Sequence, residues 1–350
     1  MSLVFVDWIS VSQYHGPDTP EFVGSLNFKD LENEHGAIES AGPRQSRGSH
    51  DSSLQVKAHN GWVKVSGNPS RWNRPDNLFG YDLDECMSIV NDHLATLGLP
   101  PFTVGVPVSP DRNERRADIG LATIDGETCD GMGEGEPIAW SGAAFSRIDL
   151  CANFQAGSEF LAKLAMRSYQ ARAVARLKKA TYGEETALWH NTCRSVKAYR
   201  KGPDMAVHCP DSEWIEWANT NGIVRHEIAI KSRYLSATGL RYWGNLNMGT
   251  LHRIFERETE VLRRPDASLD PMAIEACPAR ARLVYAAWLK GEDVTPLVSR
   301  ATLFRHRKTL METASVDISQ PRNVADVAPI VRYVDITPAQ MPEGYQLRAA

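Results

Sequence analysis

Residues 195–201 read SVKAYRK, and alternation along a strand sends Lys197, Tyr199 and Lys201 to one side and Val196 and Ala198 to the other. Two further runs alternate in the same way. In 146–154, SRIDLCANF, the residues Arg147, Asp149, Cys151 and Asn153 oppose Ile148, Leu150, Ala152 and Phe154. In 223–231, IVRHEIAIK, the residues Arg225, Glu227, Ala229 and Lys231 oppose Val224, His226, Ile228 and Ile230. If the apolar sides of all three rest on one core, the other face of the sheet collects a tyrosine, two carboxylates and several cations. Each charge alone is what the hydrated face of an antiparallel sheet carries anyway. Together they form a surface suited to phosphoryl transfer.

The chain that must position these residues has 350 residues, 42% of them hydrophobic and 23% charged, enough for one large or two smaller domains with a sizeable core. No apolar run is long enough to span a bilayer, and the opening MSLVFVDWISVSQ lacks the basic start of a signal peptide, so a cytosolic protein that begins with a strand is expected. Cys86, Cys129, Cys151, Cys193, Cys209 and Cys277 show no CxxC or Cys/His spacing, which favours reduced thiols over a zinc site. The net charge of −4 makes any nucleic-acid surface a local one.

Strands are expected at 3–13 and 25–29, followed by the hairpin LQVKAHNGWVKVSG, which turns at Asn60 and Gly61. The loop at 68–80 sets Arg71 and Arg74 around Trp72, a combination suited to phosphates and an unstacked base, or to a surface loop whose Trp caps the core. Residues 84–97 have helical spacing with Gly98 at the end, and 105–137 form a Gly-, Pro- and acid-rich excursion whose glycines are not those of a nucleotide loop. Ser158 caps a helix expected to run to about Ala180, acid-free between 163 and 179 and therefore a candidate DNA-backbone surface. ETALWHN pairs with SVKAYRK as a hairpin, and DSEWIEWANTN makes a short helix.

From about Met248 the pattern turns helical: a helix to Lys290, a turn at Gly291, a short helix to Val298, then a helix capped by Ser299 that carries Arg300, Arg305, His306, Arg307 and Lys308. This is the layout of a helix-turn-helix DNA reader, or of a bundle with one basic hydrated face. PIVRYVDI returns as a closing strand. The expected fold is α+β, a mainly antiparallel sheet with flanking helices plus a helical C-terminal region. Its parts are a catalytic domain over 1–245, a helical region over 246–325, and a strand and tail over 326–350.

VDW near the N-terminus, NLFG at 77–80, SRID at 146–149, KAYRK at 197–201, VRHEIAIKSRYL at 224–235 and VAPIVRYVDI at 327–336 match, in order and spacing, one family. The chain resembles the gene II replication initiators of filamentous bacteriophages and, more distantly, trans-acting plasmid rolling-circle initiators. The resemblance implies an enzyme that nicks one strand of supercoiled origin DNA, becomes linked through tyrosine to the 5′ phosphate, leaves a 3′ hydroxyl for rolling-circle replication and rejoins the displaced strand. It implies Tyr199 as nucleophile with Lys201 beside it, Asp149 and Glu227 near a divalent metal, and a host helicase and polymerase that work from the freed end in the host cytoplasm. The His-hydrophobic-His metal motif of other rolling-circle enzymes is absent.

A phenol with a reference pKa of about 10 is a poor nucleophile at neutral pH unless its anion is favoured, which Mg²⁺ or Mn²⁺ and the Lys201 ammonium would do. Mg²⁺ suits the hard oxygens of Asp149, Glu227 and the scissile phosphate. Arg147, Lys197, Arg225 and Lys231 would clamp that phosphate. His190 and His226 are candidate proton acceptors, although His226 lies on the apolar side. Asp7 matches the family's N-terminal motif but shares a face with Ile9 and Val11. Tyr169 and Tyr234 are available as second nucleophiles. A plasmid mobilisation relaxase and a non-catalytic DNA-binding regulator are the alternative functions.

Overall fold

The computed structural model describes residues 4–21, 44–47, 53–110, 138–172, 174, 177–263, 277–314, 317–319 and 336–347. The strand expected over 25–29, most of the excursion, Cys129, Arg176 and nearly all of PIVRYVDI lie outside those residues.

The strands are β1 (Phe5–Tyr14), β2 (Arg44–Arg47), β3 (Ser53–His59), β4 (Trp62–Gly67), β5 (Pro107–Pro110), β6 (Ile138–Trp140), β7 (Ala144–Gln155), β8 (Lys178–Tyr182), β9 (Thr186–His190), β10 (Arg194–Arg200), β11 (Ile223–Lys231) and β12 (Thr337–Pro338). All but β5 and β6, which form a separate ribbon, make one sheet in the order β2-β3-β4-β1-β7-β11-β10-β9-β8, with β12 paired to β7. Among the described residues every strand pairing is antiparallel, where a mainly antiparallel sheet is expected. Asn60 and Gly61, both at positive φ (50° and 78°), make the hairpin turn between β3 and β4.

The helices are α1 (Leu83–Thr96), α2 (Glu159–Ala171), α3 (Lys201–His208), α4 (Ile215–Thr220), α5 (Ser232–Ala237), α6 (Met248–Arg263), α7 (Ala279–Leu289) and α8 (Arg300–Ala314). Asp82 caps α1 by accepting from the Glu85 N–H at 2.9 Å, and Ser158 caps α2 by accepting from Leu161 at 3.2 Å.

One face of the sheet carries the main core. Ile148, Leu150, Ala152 and Phe154 of β7, Val196 and Ala198 of β10, and Val224, Ile228 and Ile230 of β11 are buried there against Met87 and Val90 of α1, Met166 of α2, Leu235 of α5 and Phe255 of α6. α6 thus shares a core with the sheet, across the division expected near residue 245. The other face is roofed at one end by a smaller core of Leu78, Phe79, Met205, Cys209, Ala218, Ile223, Ala339 and Tyr345, drawn from the 68–80 loop, α3, α4, β11 and the C-terminal segment. Gly80 lets that loop approach β1, since a Cβ there would meet the Phe5 ring at 2.4 Å. Beyond residue 277, α7 and α8 enclose a third core of Cys277, Val284, Tyr285, Val294, Leu310 and Ile318.

Three expectations are corrected. The helix begun by Ser158 stops at Ala171, with Arg172 already extended, and Lys178–Tyr182 is an edge strand that turns at Gly183 (φ 60°) to pair with β9. The strand expected over 195–201 ends at Arg200, and Lys201 opens α3 instead. The third correction concerns Asp7. Between Val6 and Trp8 the β1–β7 register slips by a bulge, so Val6 and Ile9 face the main core while Asp7 turns to the opposite side.

Candidate active site

Register places the candidate residues. Lys197 lies opposite Glu227 and Tyr199 opposite Arg225 across β10 and β11, while Glu227 is opposite Cys151 and Ala229 opposite Asp149 across β11 and β7. Directly paired and diagonal residues on one face are within side-chain reach of each other. Asp149, Glu227, Lys197 and Tyr199 therefore share a single patch. Lys197 Nζ is 3.9 Å from Glu227 Oε2 and 4.0 Å from the centre of the Tyr199 ring.

This face is not the hydrated surface that alternation alone suggests. Asp149 is 3% exposed, Tyr199 5%, Lys201 1% and Arg225 0%. Burial of ionisable groups makes each partner consequential. Arg147 forks onto Asp149 (Nε to Oδ1 2.7 Å, Nη2 to Oδ2 2.6 Å) and lies over the Trp8 ring at 5.6 Å. Even so, desolvation outweighs that ion pair, and together with the negative charges of Glu227 and Asp7 it pushes the Asp149 carboxyl up to about 7. Glu227 is also raised, first by burial, with Lys197 opposing and Asp7 adding to the rise.

Burial pushes the Tyr199 phenol well above its ordinary value, against the pull of Arg225, so the hydroxyl is protonated at neutral pH. Lys201 Nζ sits 5.9 Å from the Tyr199 ring centre and donates to Asn77 Oδ1 at 2.8 Å and Asp204 Oδ2 at 2.7 Å. Its charge is thus fixed in place beside the phenol.

Asp7, Asn77 and Arg225 tie the patch to its roof. Asp7 Oδ1 accepts from Asn68 Nδ2 (2.9 Å) and Asn77 Nδ2 (2.8 Å), with Arg225 Nη1 3.8 Å away. Arg225 donates from Nε to Asn153 (2.9 Å) and from Nη2 to the carbonyls of Asn77 (2.5 Å) and Leu78 (2.7 Å). The bulge explains why Asp7 joins the site. In the sequence, only its place in the N-terminal family motif singles it out. Asn77, within NLFG, and Asp204, three residues after Lys201, escape a pattern-based reading because neither lies on a strand that displays a face.

The remaining candidates divide. Arg74 is no phosphate contact: it is buried, donating from Nη1 to the carbonyls of Ser70 (2.5 Å) and Phe79 (3.0 Å) and from Nη2 to the Tyr345 hydroxyl (2.7 Å). Arg225 is equally enclosed, and positions backbone rather than meeting solvent. Arg71 is half-buried and donates to the His208 carbonyl at 2.6 Å. Lys231, at the far end of β11, donates to the Asn191 carbonyl at 3.1 Å. Arg300, Arg305 and Lys308 are exposed on α8, whereas Arg307 forks onto Asp317 (2.7 and 2.6 Å).

His226 is packed in the core against the Tyr169 hydroxyl at 3.1 Å, its pKa pushed down to about 3 by burial and by Arg263 and Arg172, so it is no proton acceptor near neutrality. Tyr169 and Tyr234 are buried in the same core, on the sheet's other side from Tyr199. His190 is half-buried on β9 opposite Ser195.

Among the described residues no group of three or more His, Cys, Asp or Glu side chains forms a ready-made metal cage. The site's candidate metal donors are hard carboxylate oxygens, those of Asp149 also accepting from Arg147, that burial drives toward protonation, and a divalent cation would relieve that cost. Mg²⁺ is commonly held by one or two carboxylates plus substrate phosphate and water, so Asp149 and Glu227 fit such an ion.

Fold and patch together define the class: an α+β protein whose antiparallel sheet presents a tyrosine among carboxylates and cations on a partly roofed face. The family model for the N-terminal part of the phage gene II replication-associated protein matches residues 6–249, and the model for the C-terminal part of the same protein matches residues 274–349. The chain therefore belongs to the gene II replication-associated protein family and is a replication initiator. It is 25% identical over 319 residues to the gene II replication-associated protein of Escherichia phage If1, covering 79% of this chain and 91% of that one. It is 28% identical over 180 residues to the protein of the same name from Enterobacteria phage I2-2, covering 47% and 49%. A solved rolling circle replication initiator protein from Geobacillus stearothermophilus aligns with 73% of this chain and 84% of that one at 12% identity, with a TM-score of 0.28. No helix among the described residues is long and apolar enough to cross a membrane.

Proposed function

We propose that this initiator nicks one strand of supercoiled origin DNA with Tyr199 as nucleophile. The tyrosine oxygen bonds to the scissile phosphorus, the bond from phosphorus to O3′ breaks, the phenolic proton is released and the departing O3′ takes one up. One phosphodiester replaces another, so the 5′-phosphotyrosyl link retains the energy for rejoining. The observation that supports this best is the convergence of Tyr199, Asp149 and Glu227 on one buried patch from strands distant in sequence.

Mg²⁺ or Mn²⁺, when bound by Asp149 and Glu227 with Asp7 close by, supplies Lewis-acid stabilisation of charge on the phosphate oxygens. The chain's own side chains do the rest. Lys197 and Lys201 flank the phenol ring and favour its anion, and Arg147, 45% exposed along its side chain, is placed both to orient Asp149 and to meet a phosphate. The exposed cations Arg300, Arg305 and Lys308 of α8 would hold origin duplex, with α7 and the Gly291 turn as the first half of a helix-turn-helix. A host helicase and polymerase would continue from the freed 3′ hydroxyl.

The test is incubation of the chain with supercoiled origin DNA and Mg²⁺. Nicked circles are expected with the natural chain and none with Tyr199→Phe, while both bind the DNA. Binding without nicking by the natural chain would favour a non-catalytic regulator instead.

A further inference from the structure

The C-terminal segment at 336–347 reaches the sheet on the side of the tyrosine patch, and its contacts are with the parts that shape the patch. β12 pairs with the end of β7 (Thr337 with Gln155, Pro338 with Phe154), and the Ala339 N–H donates to the Asn153 carbonyl at 2.9 Å. Asn153 in turn receives Arg225 Nε at 2.9 Å and donates to the Leu78 carbonyl. Eight residues after Thr337, Tyr345 inserts its ring between Phe79 (centroids 5.4 Å) and Trp214 (5.6 Å).

The hydrogen-bonding capacity of the Tyr345 hydroxyl is fully used. It donates to Asp76 Oδ1 at 2.6 Å and accepts from Arg74 Nη2 at 2.7 Å and the Phe79 N–H at 3.2 Å. Asp76 also accepts from the Leu78 N–H (2.9 Å) and the Ser212 hydroxyl (2.6 Å). Residues 74, 76, 78 and 79 are thus all fixed through one phenol and its partners, and Asn77 lies between Asp76 and Leu78. Asn77 is the bridge of the site, donating to Asp7 and accepting from Lys201.

We infer that the C-terminal segment is a positioning element of the nicking site, in which Tyr345 holds the 74–79 loop in the shape that lets Asn77 bridge Asp7 and Lys201. The inference rests on the nicking reading above. Tyr345 touches no reacting atom; it acts through Asn77. Residues near the two ends of the chain, Asp7 and Tyr345, are in this way coupled through a single loop, and an intact C-terminal segment becomes a condition for a competent tyrosine.

The test uses the full-length chain with Tyr345→Phe, which removes one oxygen and keeps the ring. Two quantities are read: hydrogen exchange at the Leu78 and Phe79 amides of the free protein, and the single-turnover rate constant for cleaving bound supercoiled origin DNA. The amplitude of the turnover reports the folded fraction, so the rate constant isolates positioning. The expected result is exchange faster by roughly 10- to 100-fold at those amides, a cleavage rate lower by a similar factor, and origin affinity unchanged within about twofold. Ala339→Pro, which deletes the N–H bonded to Asn153, is the second variant and should slow cleavage in the same way.

Unchanged amide exchange, or wild-type cleavage rate in either variant, overturns the inference. A natural chain that never nicks would remove the nicking reading instead, and the exchange measurement would still decide whether Tyr345 orders the loop.

Discussion

The two faces of the central sheet are built by the same strands, and they divide apolar packing from buried polar and charged groups. On the core side Phe154, Val196, Val224 and Ile228 meet helices and are almost wholly apolar, His226 excepted. On the other side, residues one step along the same strands are Asn153 and Arg225, equally enclosed, and Lys197 and Glu227, half-buried, all of them charged or polar. The first arrangement gains free energy from burial. The second spends some of it, as the raised carboxyls of Asp149 and Glu227 record. A buried polar face of this kind is kept for what it does rather than for stability, because equivalent apolar packing is often at least as stable.

Substitutions on the two sides should therefore separate activity from stability. Tyr199→Phe should lower nicking of supercoiled origin DNA by on the order of 1,000-fold or more while leaving the thermal midpoint and DNA affinity nearly unchanged. Phe154→Ala, one layer below, should cost about 3–5 kcal/mol of unfolding free energy in a denaturant titration, and activity should fall only as folded protein is lost.

Asp149→Asn sharpens the contrast further: nicking should fall by roughly 100-fold or more, yet the chain should become more stable. The sign follows from the raised pKa. The folded state holds a proton on Asp149 up to pH of about 7 while the unfolded state releases it near the ordinary carboxylate value of about 4, so the wild-type chain loses stability as pH rises through that window. The Asn variant does not titrate there. In metal-free buffer its advantage should open between those pH values and stay level above them, at about 1–3 kcal/mol after the weakened contact to Arg147 is counted.

The smallest expected effects distinguish two arginines that the sequence treats alike. Arg305→Ala should weaken origin binding several-fold and reduce the salt dependence of affinity by about one counterion, with unfolding unchanged. Arg74→Ala should leave that salt dependence alone and lower stability by roughly 1–3 kcal/mol, since the Ser70 and Phe79 carbonyls and the Tyr345 hydroxyl each lose a hydrogen bond from the guanidinium.

Much of this was legible in the sequence where period-2 alternation holds. The three strands, their facing directions and the neighbourhood of Tyr199, Asp149 and Glu227 follow from alternation plus one core. What was not legible is where alternation fails or where a distant segment decides. A single-residue bulge at Asp7 reverses the face that its neighbours imply. The roof over the patch joins the 68–80 loop to residues 339 and 345, a contact no local pattern encodes, and it converts Arg74 and Arg225 from candidate clamps into internal ties. The helix begun at Ser158 looked longer because Lys178 and Lys179 are compatible with either state, and pairing with β9 chose the strand.

Under the proposed mechanism Tyr199 is the residue that becomes joined to DNA. This is tested most directly by trapping the covalent complex on supercoiled origin DNA in the presence of Mg²⁺, digesting both components, and locating the nucleotide-bearing peptide by mass spectrometry. The expected product is a 5′-phosphate attached to Tyr199 within SVKAYRK. A nucleotide on Tyr169, Tyr234 or any other residue, with Tyr199 unmodified, would contradict it.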